Sequence, residues 1–353
     1  MAIRFVWAEE RDMLIKIKRS WEIPERTATP EALVFNRRGL LKGAGAVALA
    51  GALSNCGPAS NTQTASPGDN QAPLPDSPQT PDPSASIYPA KRNTVYTLDR
   101  AITPEEIVTN YCNYYEFGSE KDDPPRYAGL LPTRPWEISF EGMVEQPRKI
   151  GIDELIKAMP IEERLYRHRC VEAWSFAAPW TGFPMKALID LAKPTSSARY
   201  VVMKTFMNPA IAFAQKEFWV PWPYTEGLTI EEATNDMAFM VTGAYGRPLK
   251  KQNGAPIRLA TPWKYGFKSV KGIQRFIFTD QRPVTYWMAL GPSEYGFWAN
   301  VNPEVSHPRW SQASEEVLGT GMRVPTLLYN GYGEEVAGLY ATYANVQGER
   351  LFM

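Results

Sequence analysis

The sequence predicts an α+β domain that extends from residue 91 to residue 353. Segments with the alternating pattern of short strands outnumber those with helical spacing, and long loops rich in proline and tryptophan separate them. The sequence also contains neither a GxGxxG fingerprint nor a GxxxxGK[ST] loop. A mixed fold is therefore expected rather than a doubly wound nucleotide-binding sheet.

The individual elements follow from periodicity. Apolar and polar side chains alternate over residues 136–141, which predicts a half-buried strand. Helical spacing predicts helices over residues 152–159 and 185–192, which end before Pro160 and Pro194. Further strands are expected at residues 165–171, 200–205, 237–242, 257–260 and 273–279.

The composition excludes several classes of function. Apolar residues make up 44% of the chain and charged residues 22%, as in folded globular proteins. The 38 basic and 38 acidic residues give a formal net charge of +0, so the chain lacks the basic excess of a general nucleic-acid binder. The 3 cysteines cannot form a disulfide framework, and the 2 histidines cannot form a three-histidine zinc site. No apolar run reaches the roughly 20 residues of a membrane-spanning helix.

Residues 1–56 have the features of a twin-arginine export signal. Arg37 and Arg38 precede a weakly apolar segment, residues 43–53, that is too short to span a bilayer. The alternative is a buried helix that opens a domain, although glycine and alanine would make that helix a poor one. Met13 is a candidate for the true start of translation. The signal predicts passage through the twin-arginine export machinery into the periplasm.

Cys56 and the segment after it predict an anchor and a stalk. The sequence around Cys56 resembles a lipoprotein cleavage site, so lipid attachment there is an open alternative. Residues 57–90 contain eight prolines and no lysine or arginine. Because such a segment buries too little apolar surface to offset its chain entropy, we expect a disordered stalk before the folded domain begins at residue 91.

Cys170 is the first candidate for chemistry, since Arg167, His168 and Arg169 precede it. Neighbouring cations lower the pKa of a thiol and favour the thiolate, which is a soft metal ligand or a nucleophile. The alternative is a small, buried, unreactive side chain. A cysteine protease is disfavoured, because only His168 and His307 are available as its base.

Two further clusters predict a binding site. Residues 252–258 and 263–271 combine cations with glycines, which suits an anionic, hydrogen-bonding ligand such as a phosphate joined to a heterocycle. Residues 111–118 mix aromatic rings, an amide and a carboxylate, which suits the edge of a heterocycle. A solvated basic loop and a packed aromatic loop are the structural alternatives.

Taken together, these segments resemble the catalytic subunit of bacterial periplasmic protein-methionine-sulfoxide reductases, a family in the sulfite-oxidase class of molybdopterin enzymes. The resemblance extends in family order over about residues 111–331. The matching segments are residues 114–118, 169–175, 252–256, 262–268, 294–297, 300–303 and 307–312. The resemblance implies a sulfite-oxidase-type fold of mixed short sheets with peripheral helices.

The resemblance also implies a molybdopterin cofactor whose molybdenum is bound by the Cys170 thiolate. It implies a cofactor pocket made of Asn113, Tyr115, Glu116, Thr205, Asn253, Arg258, Ser269, Val270 and Lys271. The residue types agree with this implication: Arg258 and Lys271 suit a terminal phosphate, and Asn253 both donates and accepts hydrogen bonds.

Two positions depart from the family pattern. The family has two asparagines before the aromatic pair, whereas this chain has Cys112 and Asn113. The first of those asparagines is a cofactor contact in the family, so Asn113 or a backbone group is expected to replace it. His168 stands where the family often has methionine.

The activity that the resemblance implies is reduction of methionine sulfoxide in oxidised periplasmic proteins, with electrons from a haem-binding membrane subunit. Reduction returns a polar side chain to its apolar form and so restores packing. The chain has no CxxCH motif, so we expect no c-type haem of its own. Glu172 is a candidate for proton delivery or substrate orientation, and its structural alternative is an ion pair with Arg167 or Arg169.

Two other functions stay open from the sequence. The first is a sulfite dehydrogenase, which would be expected to have an arginine-lined anion pocket. The second is a stalked envelope lipoprotein that binds a ligand without catalysis. Insertion of molybdopterin in the cytoplasm would require export of the folded protein, which agrees with the twin-arginine signal.

Overall fold

The computed structural model describes residues 82–344, 346 and 349–352. The predicted export signal over residues 1–56, the predicted lipid attachment at Cys56 and the stalk up to residue 81 lie outside the described residues. Among the described residues, no helix is both long enough and apolar enough to cross a membrane.

The folded body includes residues 82–90, which the sequence assigned to the stalk. The Tyr88 hydroxyl donates a hydrogen bond to the carbonyl oxygen of Thr242 at 2.8 Å, and Ser84 is buried. Asp82 forms an ion pair with Arg134 at 2.8 Å. The predicted boundary at residue 91 is therefore too late, because contacts of Asp82, Tyr88 and Ile87 join this proline-rich segment to the body.

The described residues contain twelve strands and seven α-helices. The strands are β1 Glu137–Gly142, β2 Arg148–Gly151, β3 Glu162–Arg169, β4 Trp174–Pro184, β5 Tyr200–Thr205, β6 Thr225–Thr229, β7 Phe239–Ala244, β8 Arg247–Pro248, β9 Arg258–Ala260, β10 Ile273–Thr279, β11 Ser314–Val317 and β12 Met322–Pro325. The helices are α1 Glu105–Asn110, α2 Asp123–Tyr127, α3 Ile152–Ala158, α4 Met185–Ala192, α5 Ile230–Ala233, α6 Tyr286–Leu290 and α7 Gly333–Val336.

The strands form two sheets. The first has the order β2-β1-β10-β5-β6, in which β1 and β10 run parallel and the other neighbours antiparallel. The second follows the order β12-β11-β4-β7-β8, with β3 also paired to β4 and β9 also paired to β7. Mixed sheets with short helices confirm the predicted α+β class.

Most predicted elements are present, and β4 is the main strand that the sequence did not predict. Pro179 and Gly182 interrupt this segment, and proline inside a run argues against a central strand. In the structure β3 pairs with β4 along its length, whereas β11 pairs only with its start and β7 only with its end. Pro179 lies in the gap between β11 and β7, where the lost N–H costs no ladder hydrogen bond.

A buried ion pair joins β6 to the loop before β10. The Lys268 Nζ atom lies 2.6 Å from Glu226 Oε2, both side chains are fully buried, and Nζ also donates to the Gly227 carbonyl at 2.8 Å. We expect Lys268→Met to lower the free energy of unfolding by about 3–5 kcal/mol, because Glu226 would stay buried without a partner. Urea denaturation of both proteins measures the difference.

A surface pair on α4 provides the matched control. Lys186 lies 2.7 Å from Asp190, but both side chains are more than half exposed. Lys186→Met should therefore change the free energy of unfolding by less than about 0.5 kcal/mol. The double variant Lys268→Met/Glu226→Leu should recover most of the stability. A Lys268→Met protein as stable as Lys186→Met would contradict the prediction.

Candidate functional site

Cys170 lies at the tip of the hairpin formed by β3 and β4. The turn closes through two backbone hydrogen bonds, from Cys170 N to Trp174 O at 2.9 Å and from Ala173 N to Cys170 O at 3.1 Å. Ala173 has a φ of 63°, a conformation that a residue with a side chain rarely adopts. The turn therefore places a buried sulfur on a rigid support between two long paired strands.

The segment before β11 holds this turn in place. The Val171 carbonyl accepts hydrogen bonds from Trp310 Nε1 at 2.6 Å and from Gln312 Nε2 at 2.8 Å. The buried guanidinium of Arg169 donates to the Cys170 carbonyl oxygen. Because three side chains fix two successive carbonyls, the direction of the Cys170 side chain is determined by the fold.

The prediction that neighbouring cations lower the pKa of Cys170 is wrong for this structure. Burial, reinforced by the Glu172 carboxylate, raises the pKa of the Cys170 thiol to about 12. The three side chains before it have other partners: Arg167 pairs with Asp99, His168 accepts a hydrogen bond from Trp180, and Arg169 pairs with Glu315. Arg169 still lowers the pKa of Cys170, but burial outweighs that effect. A bound metal ion deprotonates a thiol ligand outright, so a raised pKa is compatible with metal ligation.

Asn113 is the residue that connects the sulfur to the cations of the site. Its Nδ2 atom lies 3.9 Å from Cys170 Sγ, and its Oδ1 atom accepts a hydrogen bond from Lys121 at 2.7 Å. Its carbonyl oxygen accepts one from Lys271 Nζ at 2.6 Å. The neighbouring Cys112 thiol lies instead 3.5 Å from the Gln252 carbonyl. The structure thus places Asn113 beside the sulfur, and its contact with the cofactor stays a prediction.

Glu172 pairs with a lysine rather than with the arginines that the sequence indicated. Its Oε2 atom lies 2.6 Å from Lys121 Nζ and accepts a hydrogen bond from Trp174 Nε1 at 2.9 Å. Burial alone would raise the pKa of Glu172, but the Lys121 ammonium and the hydrogen bonds from Lys121, Trp174 and Asn113 together outweigh burial and hold that pKa below its usual range. The group is therefore an ionised carboxylate at neutral pH, which suits orientation better than proton delivery.

Arg258 and Lys271 form a pair of enclosed cations. Arg258 donates only to backbone carbonyl oxygens, including those of Asn253 at 3.1 Å and Ser269 at 3.2 Å. Neither cation forms an ion pair with a carboxylate among the described residues. Burial lowers the pKa of Arg258 to about 10, and burial together with the Arg258 charge lowers that of Lys271 to about 7. Burying two positive charges side by side is costly, so an anion beside them would stabilise this arrangement.

Two glycines allow the backbone to lie close to the side chains of Lys271 and Tyr114. Gly254 has a φ of 106°, and a Cβ atom there would lie 2.8 Å from the Lys271 side chain. Gly272 has a φ of 59°, and a Cβ atom there would lie 2.2 Å from the Tyr114 hydroxyl. Both positions therefore require glycine for steric and conformational reasons.

Two buried polar atoms next to the cations lack a hydrogen bond within the described part of the chain. They are Oε1 of Glu116 and the hydroxyl of Tyr114. Burial raises the pKa of Glu116 to about 7, although a hydrogen bond from Thr205 opposes the shift. Unpaired cations beside unsatisfied donors and acceptors fit a ligand that joins a phosphate to a hydrogen-bonding heterocycle. Molybdopterin has this chemistry, so the residues fit the cofactor.

The remaining predicted site residues each form contacts with other residues of the chain. Tyr115 stacks parallel to Tyr224 at 6.5 Å between ring centroids. Asn253 Nδ2 donates to the Val108 carbonyl at 3.0 Å, and Ser269 Oγ accepts from the Thr261 N–H at 3.2 Å. Val270 is buried. Tyr114 and Lys121 were not predicted, although Tyr114 belongs to the aromatic segment that the sequence singled out.

A small cavity lies against the Cys170 turn. It has room for about one water molecule. One of its lining residues is Val171, the residue after the cysteine. Its other lining residues are Tyr265, Phe267, Glu294, Tyr295, Val305, Ser306, His307, Gln312 and Phe352. The lining contains one carboxylate, one imidazole and no lysine or arginine.

Part of the chain matches a known protein family. Residues 128–287 match the family model of the oxidoreductase molybdopterin binding domain, a range that includes Cys170, Arg258 and Lys271 but not Asn113. The crystal structure of the sulfane dehydrogenase SoxCD from Paracoccus pantotrophus is similar with a TM-score of 0.41 and 14% identity over 64% of this chain. The chain spans 58% of the length of that structure. Residues 128–287 therefore match a molybdopterin-binding oxidoreductase domain, and this match indicates molybdopterin as the cofactor.

Proposed function

We propose that this protein reduces methionine sulfoxide in oxidised proteins of the periplasm. The observation that carries the proposal is the charge of the cavity beside Cys170. Its lining has no lysine or arginine and one carboxylate, Glu294. The nearby Arg309 guanidinium is paired with Glu294 at 2.7 Å, so it offers no free charge. A neutral sulfoxide suits such a cavity better than an anionic sulfite does.

Different residues of the chain would have different roles in this reaction. Cys170 would bind molybdenum, and Arg258 and Lys271 would bind the phosphate of the cofactor. Molybdopterin, when bound, supplies oxygen-atom transfer coupled to two electrons. The overall reaction converts a sulfoxide, two electrons and two protons to a thioether and water. The Glu172 carboxylate, fixed by Lys121 and Trp174, would orient polar groups near the sulfur.

The proposal includes the location and the electron donor. Export by the twin-arginine route would deliver the folded, loaded protein to the periplasm. Electrons would come from a haem-binding membrane subunit, as the family resemblance implies. The resemblance of the collinear segments between residues 111 and 331 supports these assignments.

A direct comparison of two reactions tests the proposal. The full chain is produced in a host that makes molybdopterin and is purified from the envelope. Reduction of methionine sulfoxide in an oxidised protein is then measured with a reduced dye, and sulfite oxidation is measured with ferricyanide. We expect sulfoxide reduction to exceed sulfite oxidation. Sulfite oxidation without sulfoxide reduction would refute the proposal and favour a sulfite dehydrogenase.

A further inference from the structure

His307 occupies an enclosed position in the wall of the cavity beside the Cys170 turn. Its imidazole stacks on Trp310 with ring centroids 4.1 Å apart and an interplanar angle of 12°. Tyr295 covers it from another side at 5.5 Å. Trp310 is also the residue that donates to the Val171 carbonyl. The histidine is therefore coupled by direct contacts to the turn that carries Cys170.

The hydrogen bonds of His307 determine which nitrogen carries the proton. Nδ1 accepts a hydrogen bond from the backbone N–H of Arg309 at 3.2 Å. In a neutral imidazole the proton must then reside on Nε2. Burial, with a contribution from Arg309, lowers the pKa of His307, so the ring is neutral at pH 7. The His307 side chain thus presents an N–H donor at Nε2.

This donor has no hydrogen bond within the described part of the chain. Its nearest carboxylate oxygen, Oε2 of Glu294, lies 3.5 Å away and already pairs with Arg309 at 2.7 Å. A buried N–H without an acceptor costs about 1–3 kcal/mol. A buried, unsatisfied donor in the wall of a cavity therefore indicates that an acceptor from a ligand belongs there.

We propose that His307 Nε2–H is the hydrogen-bond donor of a substrate subsite that accepts a neutral oxygen, the sulfoxide oxygen. The inference rests on the proposed function and names how that site recognises its substrate. Glu294 contributes to the selectivity, because its carboxylate neutralises the Arg309 guanidinium at 2.7 Å and so leaves no net positive charge to attract an anion. Tyr295 and Trp310 hold the ring in the orientation that this recognition requires.

The test measures binding without turnover. Oxidised holoenzyme is titrated calorimetrically with dimethyl sulfoxide as the neutral probe and with sulfate as the anionic probe. His307→Phe keeps a ring on Trp310 and removes the donor, whereas His307→Gln keeps an N–H. We expect His307→Phe to weaken dimethyl sulfoxide binding about tenfold and to raise the KM for methionine sulfoxide similarly. His307→Gln should stay within about threefold of the wild type.

Two controls separate recognition from folding. Ser311→Ala changes an exposed neighbour outside the cavity and should bind dimethyl sulfoxide like the wild type. Molybdenum content should be equal in all these proteins. Glu294→Gln should strengthen sulfate binding relative to dimethyl sulfoxide binding, because the Arg309 guanidinium would then lose its carboxylate partner.

The outcomes distinguish the subsite from the proposed function. If the wild type reduces methionine sulfoxide and His307→Phe binds dimethyl sulfoxide equally well, the subsite is wrong and the function stands. If dimethyl sulfoxide binds through His307 but methionine sulfoxide is not reduced, the proposed function fails and the subsite stands. A wild type that binds sulfate more tightly than dimethyl sulfoxide overturns the subsite.

Discussion

Cys170→Ala should reduce molybdenum-dependent turnover to background, a loss on the order of 10³-fold or more. The reason is that the sulfur sits on a turn fixed by Arg169, Trp310 and Gln312, and a methyl group there cannot bind a metal. The molybdenum retained after dialysis against a chelator should fall, while the pterin should stay bound through its phosphate. Elemental analysis and pterin fluorescence of the same preparations measure the two quantities.

Cys112→Ala is the matched control, because Cys112 is also a buried free cysteine. Its thiol lies near the backbone oxygens of Thr109 and Gln252, at 4.0 Å and 3.5 Å. We expect Cys112→Ala to retain both molybdenum and pterin. Full molybdenum retention by Cys170→Ala, or an equal loss in both variants, would show that Cys170 is not the protein ligand.

Arg258→Met and Lys271→Met should each weaken retention of the cofactor by about 2–5 kcal/mol, since each removes a cation from an enclosed anion site. The same substitutions should make the cofactor-free protein as stable as the wild type or more stable. The reason is that each replaces an enclosed charge without a carboxylate partner by an apolar side chain of similar length. Pterin content and thermal unfolding of the cofactor-free proteins measure the two opposite effects.

The pH dependence of the cofactor-free protein gives a second readout of Lys271. Its pKa is about 7 in the folded protein and near 10.5 in the unfolded chain. Between these values the unfolded state binds a proton that the folded state does not, so stability should rise as the pH increases from about 7 to about 10. Lys271→Met should remove this contribution. A variant with the same pH slope and an intact cofactor content would contradict the assignment of Lys271 to the anion site.

The local pattern of apolar and polar residues was sufficient to predict much of the fold. The strands β1, β5 and β10 and the helices α3 and α4 lie where their periodicity predicted them, because each buries one face of a regular pattern. β4 was missed, since the tolerance for Pro179 depends on a gap between two partner strands that are distant in sequence. Residues 82–90 were misassigned for a similar reason, because their stability comes from contacts such as Tyr88 with Thr242.

The candidate site likewise combines features that the sequence predicted with features that depend on tertiary contacts. The residue types and the resemblance made Cys170, Arg258 and Lys271 candidates for the site, and the family match over residues 128–287 includes all three positions. The direction of the pKa shift of Cys170 was predicted incorrectly, because burial of the thiol, which only folding produces, outweighs the charge of the adjacent Arg169. The partner of Glu172 was also predicted incorrectly, since Lys121 lies far from it in the sequence.

The sequence by itself therefore predicted the fold class, the resemblance of the central residues to molybdopterin-binding oxidoreductases and the cofactor, because periodicity and collinear segments are properties of the chain order. Only the tertiary structure decided which charges are paired, which are left for a ligand, and which donor faces the cavity. Those outcomes depend on burial and on distances of a few ångströms between residues that the chain order keeps far apart. His307 and Cys170 illustrate the point, since Trp310 connects them only after folding.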